Sequence, residues 1–310
     1  MKPIKAIKPT NNVNDLIKQM GSTGFNARRL SKATDIVEKM FKDKECRNFL
    51  GLSGAMIPAG MTELVIEMIE NEWIHGIVTT GANITHDLIN AIGNKHYIGA
   101  LDKDDAELRK KKIDRIYDVF MKDEVYESLE DFSQNVLKTL PKKKYSSAGL
   151  MKEFGKALSK KFPASHSWVR IAYENNVPIF CPSLPDCGFG MQIWLFKQFN
   201  ELDVDLFLDW HEFVNELVWT AKRTGCLLIG GGVPKNFILQ AQQFADTNHK
   251  YAVQLTTDSP QWGGLSGATL SEGISWGKIS PDAMYQTVYG DATISLPLII
   301  SAVKERLKKK

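Results

Sequence analysis

The segment 254–282, QLTTDSPQWGGLSGATLSEGISWGKISPD, is rich in Gly, Ser and Thr and ends on Glu272, Trp276 and Lys278. Glu272 and Trp276 are four residues apart, so one helical turn puts them on one face. A carboxylate beside an aromatic face suits an organic cation, through charge and cation–π attraction. Lys278 next to such a cation would have its pKa lowered by like charge and by burial. A neutral amine is what Schiff-base formation requires. SWGK also fits a turn that carries a surface lysine, and the residues alone leave both readings open.

Two further places bring small residues where a ligand could come close. LLIGGGVPKNF (227–237) sets three glycines after an apolar run. They cost backbone entropy and add no packing, which suits close approach of a nucleotide or substrate. Pro234 then fits the first turn of a helix. VTTGANITHD (78–87) ends an apolar run in two threonines before Gly81 and Ala82 open a helix, whose first N–H groups suit a pyrophosphate. On its own that second segment reads more simply as a plain strand–helix turn. Neither is GxGxxG or a Walker A loop, so the standard dinucleotide fingerprint is absent.

These three places need elements to hold them, and the chain supplies an alternation. NFLGLS (48–53), HGIVTT (75–80), VPIFCPSL (177–184), GCLLIGGG (225–232) and KYAVQLTT (250–257) read as strands. TELVIEMIEN, THDLINAI (85–92), FVNELVWTAKRT (213–224), PKNFILQAQQFA (234–245) and SLPLIISAVKERLKKK read as helices. Apolar strands alternating with helices predict an α/β fold with a mostly parallel sheet and flanking helices. Ligands in such sheets bind beyond the carboxyl ends of the strands, where all three places fall. Residues 1–48 read as a polar arm followed by a helix, and 49–310 as one α/β domain. The charged stretch at about 101–165 interrupts the rhythm and reads as a helical insertion.

Composition narrows the partners. Of 310 residues 43% are hydrophobic and 24% charged, and the formal net charge is +3. That is ordinary for a globular protein and argues against nucleic acid or membrane as the main partner. The N-terminus lacks the apolar core of a signal peptide, and no apolar run reaches bilayer length. Cys46, Cys181, Cys187 and Cys226 show no CxxC spacing, so reduced packing cysteines in the cytoplasm are expected and no metal site is.

GISWGKI (273–279), GGGVPK (230–235), VTTGA (78–82), FCPSLPD (180–186) and YGDATISLPL (289–298) together resemble the deoxyhypusine synthases. The similarity runs in order from about MGSTGFNARRL (20–30) to Pro297. It implies a Rossmann-like subunit, assembly as a homotetramer, and NAD and polyamine as ligands. It also implies aminobutyl transfer from spermidine through an enzyme-lysine imine to a lysine of the hypusine-bearing translation factor. By the same resemblance Lys278 is the imine-forming lysine, and Trp276 and Glu272 surround the polyamine. Thr80, Gly81, Ala82, Asp186, Gly231, Thr257, Asp291 and Ala292 fall on cofactor-contacting positions, with the family's alanine–glycine order reversed at 81–82.

The departures define what is open. Met191 and Leu265 stand where the family grips a terminal ammonium with two aspartates. Asn236 stands for a histidine, Gln240 for an asparagine, and Gly54 and Ala55 for a serine–asparagine pair. His86 replaces an acidic residue after the cofactor loop, as a site residue or as a solvated helix position. Losing two carboxylates around an ammonium costs several kcal/mol unless something replaces them. Three functions follow: a deoxyhypusine synthase proper, a homospermidine synthase-like or agmatine-using polyamine synthase, and a non-catalytic NAD-binding paralogue. An agmatine guanidinium could stack on Trp262 or Trp194. Intact Lys278, Trp276 and Glu272 argue against the paralogue.

Overall fold

Helical spacing of apolar residues opens the structure, a computed structural model that describes residues 1–308. In chain order the elements begin α1 (Val13–Met20), α2 (Phe25–Lys42), β1 (Cys46–Leu52), α3 (Thr62–Glu70), β2 (Gly76–Thr79), α4 (Gly81–Ala91) and β3 (Tyr97–Ile98). Then come α5 (Asp105–Lys110), β4 (Ile113–Ile116), β5 (Val119–Lys122), α6 (Val125–Leu137), β6 (Lys144–Tyr145), α7 (Ser147–Lys161), α8 (Trp168–Glu174) and β7 (Ile179–Phe180). The chain closes with α9 (Gly188–Phe199), β8 (Asp203–Val204), α10 (Phe207–His211), β9 (Arg223–Ile229), α11 (Gly232–Ala241), β10 (His249–Thr256), α12 (Glu272–Ser275), β11 (Ile279–Tyr289) and α13 (Ala292–Lys308).

Two units divide the chain. The first holds Met1–Ser53, Glu72–Val78 and Trp210–Lys310; the second holds Gly54–Asn71 and Thr79–Asp209. In the first unit five strands of the main sheet run in the order β11-β10-β9-β1-β2. β1 pairs β9, β9 pairs β10 and β10 pairs β11, all parallel. Phe49, Leu50, Leu52, Leu227 and Val253 are fully buried in these strands. Each such side chain contributes about 1.5–3 kcal/mol relative to exposure. α2 forms because Leu30, Ala33, Ile36, Val37, Met40 and Phe41 repeat at helical spacing and are buried, with Lys39 and Lys42 at its carboxyl end. This is the expected α/β fold with a parallel sheet and flanking helices.

Four details differ from the sequence reading. β11 is not among the strands read from the sequence; it carries several polar residues and begins Ile279-Ser280-Pro281, and as the edge strand it tolerates both. The helix expected at 213–224 is a π-turn over Glu212–Val218, closed by Trp219 N–H to Val214 C=O at 2.9 Å. The strand expected at 177–184 is reduced to Ile179–Phe180. The stretch 101–165, read as helical, lies in the second unit and also carries an antiparallel β4–β5 hairpin. No described helix is long and apolar enough to cross a membrane.

His249 opens β10 fully buried, with its ring edge-on to Phe49. Burial pushes its pKa from 6.5 down to about 3. The unfolded chain therefore binds a proton that the folded chain refuses. Stability contributed by the neutral ring is present above about pH 6.5 and is lost as pH falls below it. Between pH 7 and pH 5 this one group is expected to remove about 2 kcal/mol. Urea unfolding at both pH values checks it: His249→Phe should narrow the gap by that amount, and an unchanged gap would place the acid sensitivity elsewhere.

Candidate active site

The first unit places Lys235 beyond the carboxyl end of β9, in α11, and Lys278 at the amino end of β11, where its C=O accepts the N–H of His249, the first residue of β10, at 3.2 Å. β9 ends at Ile229, and Gly230 and Gly232 adopt φ of +76° and +57°, the left-handed region that a side chain resists. Gly231 between them has no room either: a Cβ there would lie 2.3 Å from Ser266 Cα. The three glycines are thus required by the chain itself, because Ser266 fills the space in front of Gly231. Ser266 Oγ also accepts the Gly232 N–H at 3.0 Å.

Lys235, one turn into α11, is 4% exposed. Its ammonium donates to Gln254 Oε1 at 3.1 Å, to Leu265 C=O at 3.1 Å and to Ala268 C=O. Burial pushes its pKa down to about 8; Cys226, Glu272 and Asp258 oppose that, and Lys278 adds to it. The sequence reading missed this residue as a site component. A lysine between Pro234 and Asn236, on a helix whose buried face is Phe237, Ile238, Leu239 and Ala241, was the available signal.

Lys278 follows the short α12 turn. Gly277 at φ +66° reverses the chain, and Lys278 N–H returns to Gly273 C=O at 2.9 Å. That turn lays Lys278 Nζ 5.2 Å from the centre of the Trp276 ring. Burial holds the Lys278 ammonium below its ordinary pKa, and Glu272 works the other way. Lys278 Nζ hydrogen-bonds no described residue. Glu272, Trp276 and Lys278 are therefore brought together as the spacing implied. Trp276 is 59% exposed, so its face is open to a ligand.

The other first-unit candidates are engaged in varied ways. The Asn236 amide is tied to Gln240 on the next turn of α11. Leu265 is half-exposed and Trp262 more so, in the loop that Lys235 clamps. Thr257 is exposed just after β10, and Asp258 turns the chain by accepting Ser259 N–H at 2.8 Å. Asp291 Oδ1 accepts from Thr293 N–H and Oγ1 at 2.7 and 2.8 Å at the start of α13, next to Ala292.

In the second unit the segment that the resemblance assigns to the cofactor is the amino end of α4. Thr80 stands at the cap but gives its hydroxyl to Gly54 C=O at 2.7 Å instead of capping the helix. Thr80 therefore makes no side-chain cap for α4, and the Gly81 and Ala82 N–H groups at this end suit an anion such as a pyrophosphate. Gly81 is enforced by Cys187, whose sulfur would lie 2.3 Å from a Cβ. Ala82 is partly exposed, Asp186 is exposed, and Met191 is 62% exposed on α9, where Trp194 is exposed as well. His86 is not a solvated helix residue: it is 7% exposed and bonded to His96.

The Lys235 clamp generates a test. Lys235→Met keeps the stem and removes the three donors, leaving the carbonyls of Leu265 and Ala268 unpaired at about 1–3 kcal/mol each. Hydrogen exchange should accelerate across 262–271 while β1 and β9 stay protected. Uniform protection in the variant would show that the ammonium does not hold the loop.

A model of the deoxyhypusine synthase family matches residues 15–303. Probable deoxyhypusine synthase 1 of Methanosarcina acetivorans is 45% identical over 310 residues, spanning 99% of this chain and 96% of its own length. Probable deoxyhypusine synthase 1 of Archaeoglobus fulgidus is 44% identical over 294 residues, spanning 95% and 94%. A crystal structure from Entamoeba histolytica assigned as a deoxyhypusine synthase shares the fold, with a TM-score of 0.63 at 21% identity over 96% of each chain. The match covers the glycine turn, the α4 loop and the Lys278 turn alike, and on it the chain belongs to the deoxyhypusine synthase family of transferases.

Proposed function

We propose that the chain is an NAD-dependent aminobutyl transferase working through an imine on Lys278, with a polyamine as donor and a protein lysine of the hypusine-bearing translation factor as acceptor. The observation that carries this reading is the state of Lys278. Its amine is open, sits against the Trp276 face beside Glu272, and is biased by burial toward the neutral form. A neutral, unbonded amine can attack an imine carbon; a fully hydrogen-bonded ammonium cannot. Homotetrameric assembly and a cytoplasmic location are part of the same reading.

NAD, when bound, supplies the acceptor for a hydride from the donor and the reductant for the product. The uncapped amino end of α4, with Thr80, Gly81 and Ala82, fits its pyrophosphate. Asp291 keeps Oδ2 available for a ribose hydroxyl, since its Oδ1 serves the helix. Asp186, Gly231, Thr257 and Ala292 complete the set that the resemblance assigns. Lys278 then displaces the diamine from the oxidised donor and holds the four-carbon fragment as an imine. Trp276 and Glu272 stabilise the cationic imine by ring face and charge. The acceptor amine takes the fragment and frees Lys278.

Borohydride added during turnover should trap a four-carbon adduct on Lys278, read by mass spectrometry. Lys278→Ala should lower transfer on the order of 10³-fold or more. Full activity in that variant would sink the mechanism.

The donor's far end is the second question. Met191 and Leu265 are exposed apolar side chains at positions where the resemblance has carboxylates, and an ammonium that meets an apolar group there is not compensated for lost water. Spermidine should therefore be a poorer donor than agmatine. Met191→Asp combined with Leu265→Asp should raise kcat/KM for spermidine by roughly tenfold or more. If spermidine is already the best donor and the double change does nothing, the altered-donor reading fails, and Asp258 becomes the carboxylate to examine.

A further inference from the structure

The main sheet ends on β11, and the outer edge of that strand stays partly open. A strand residue sends its N–H and C=O to one side, and the next residue sends its own to the other. Gly290 N–H bonds Thr256 C=O at 2.9 Å, so even-numbered residues from Met284 on face β10. Tyr289 faces outward: its N–H goes to Asn26 Oδ1 at 3.1 Å, and its C=O takes the Asn26 amide. By the same alternation Thr287 and Tyr285 face outward. Thr287 C=O accepts from Gln286 Nε2 at 2.9 Å and from Arg29 Nη1 at 3.4 Å. Before Met284 the register with β10 slips, and Pro281 in that stretch has no N–H to offer. Asn26 and Pro281 thus close the two ends of the edge. Between them the Tyr285 N–H and C=O and the Thr287 N–H bond no described residue.

The space beside this edge is a cavity of about 520 Å³, lined by Tyr285 and Thr287 together with Arg29, Lys32, Thr269 and Ser271. Arg29 and Lys32 are exposed, stand one turn apart on α2, and pair with no described acid. The acids on α2 are already engaged: Asp35 by Arg306, and Glu38 by Arg306 and Lys42. Further along the same helix Lys39, also without an ion pair, reaches Met284 Sδ at 4.0 Å. No described acid lines the cavity. Unmet backbone groups and unmet cations therefore face one space.

We propose that this edge is the docking site for an extended acidic segment of another protein, which adds a strand beside β11. The open groups of Tyr285 and Thr287 bond the segment's backbone, and its carboxylates on the side toward α2 meet Arg29 and Lys32. Charge selects against the chain's own segments. Residues 1–12 carry Lys2, Lys5 and Lys8 and no acid, so this arm is repelled. A second copy docked edge to edge sets Arg29, Lys32 and Lys39 against the same three cations, which opposes pairing. The inference does not rest on the transferase reading; it holds whichever amine reacts at Lys278.

The test uses the full-length protein and a fluorescent peptide of alternating Glu and Val, followed by anisotropy. The peptide should bind, and Arg29→Ala combined with Lys32→Ala should weaken it roughly tenfold. Its counterpart with Gln for every Glu should bind the unaltered protein about as weakly. A fully N-methylated peptide keeps the charges and loses the ladder, so it should not bind. Single-residue hydrogen exchange should show the Tyr285 and Thr287 amides slowed by the acidic peptide, with Met284 and Gln286 unchanged because β10 already holds them. Absence of binding overturns the proposal, and so does equal binding of the Gln peptide. Equal binding of the methylated peptide, or binding that leaves Tyr285 and Thr287 unprotected, reduces the effect to charge attraction and overturns strand addition. If the two amides are already protected in the free protein and lose protection on dilution, a second copy occupies the edge and the acidic partner is ruled out.

Discussion

A buried ammonium is the constraint on which the first unit's chemistry depends. Lys235 Nζ has three acceptors, two of them backbone carbonyls of the 262–271 loop and one the side chain of Gln254 on β10. Gln254 in turn donates to Gly230 C=O and Ser266 C=O, so the glycine turn, the sheet and the loop share one network. The network needs all three N–H groups of Lys235. A neutral amine would leave one acceptor unmet, and an imine would leave all three. Lys278 has no such obligations. The two lysines therefore cannot exchange roles: one holds the loop because it is saturated, and the other is available to carbon because it is not.

The second unit uses buried carboxylates for a similar purpose. Asp87 accepts from Ser167 Oγ, Trp168 N–H and Val169 N–H at the amino end of α8. Asp209 accepts from Ser147 Oγ and Ala148 N–H at the amino end of α7. Both helix ends thereby have first-turn N–H groups met by a carboxyl group. Desolvation raises Asp87 to about 7 against these donors, which hold it from rising further, so the group is part-protonated near neutrality. α4 is treated differently. Thr80 gives its hydroxyl to Gly54 and makes no side-chain cap for this helix.

Much of this was legible in the sequence. The alternation that gave β1, α3, β2, α4, β9, α11 and β10 comes from apolar spacing, which local residues specify. The Lys278 turn was legible because SWGK is short and Glu272 and Trp276 lie one turn apart. β11 was not, since an edge strand keeps one side polar and may start at a proline, and glycine-rich sequence before it masked its start. The reason for the three glycines was also hidden. Their neighbour Ser266 is 35 residues downstream of Gly231, and no local pattern announces such a contact. Lys235 was hidden for the same reason: its acceptors at 254, 265 and 268 are set by tertiary packing.

The departures from the family share a direction. Met191, Leu265 and Asn236 each replace an ionisable residue with one that carries no charge, and the Asn236 amide is committed to Gln240. Acid–base capacity is thereby lost at three positions that the resemblance places around the amine. His86 runs the other way: where the resemblance has an acid it puts an imidazole, whose pKa burial lowers to about 4 so that the ring is neutral. A carboxylate in the same buried position would be costly without a cation beside it, whereas a neutral imidazole bonded to His96 is stable there. The ring at 86 is held through one hydrogen bond, between its Nδ1 and His96 Nε2, and Asn90 orients His96 in turn. It leaves this chain with a buried, neutral imidazole at the position where the resemblance has an acid.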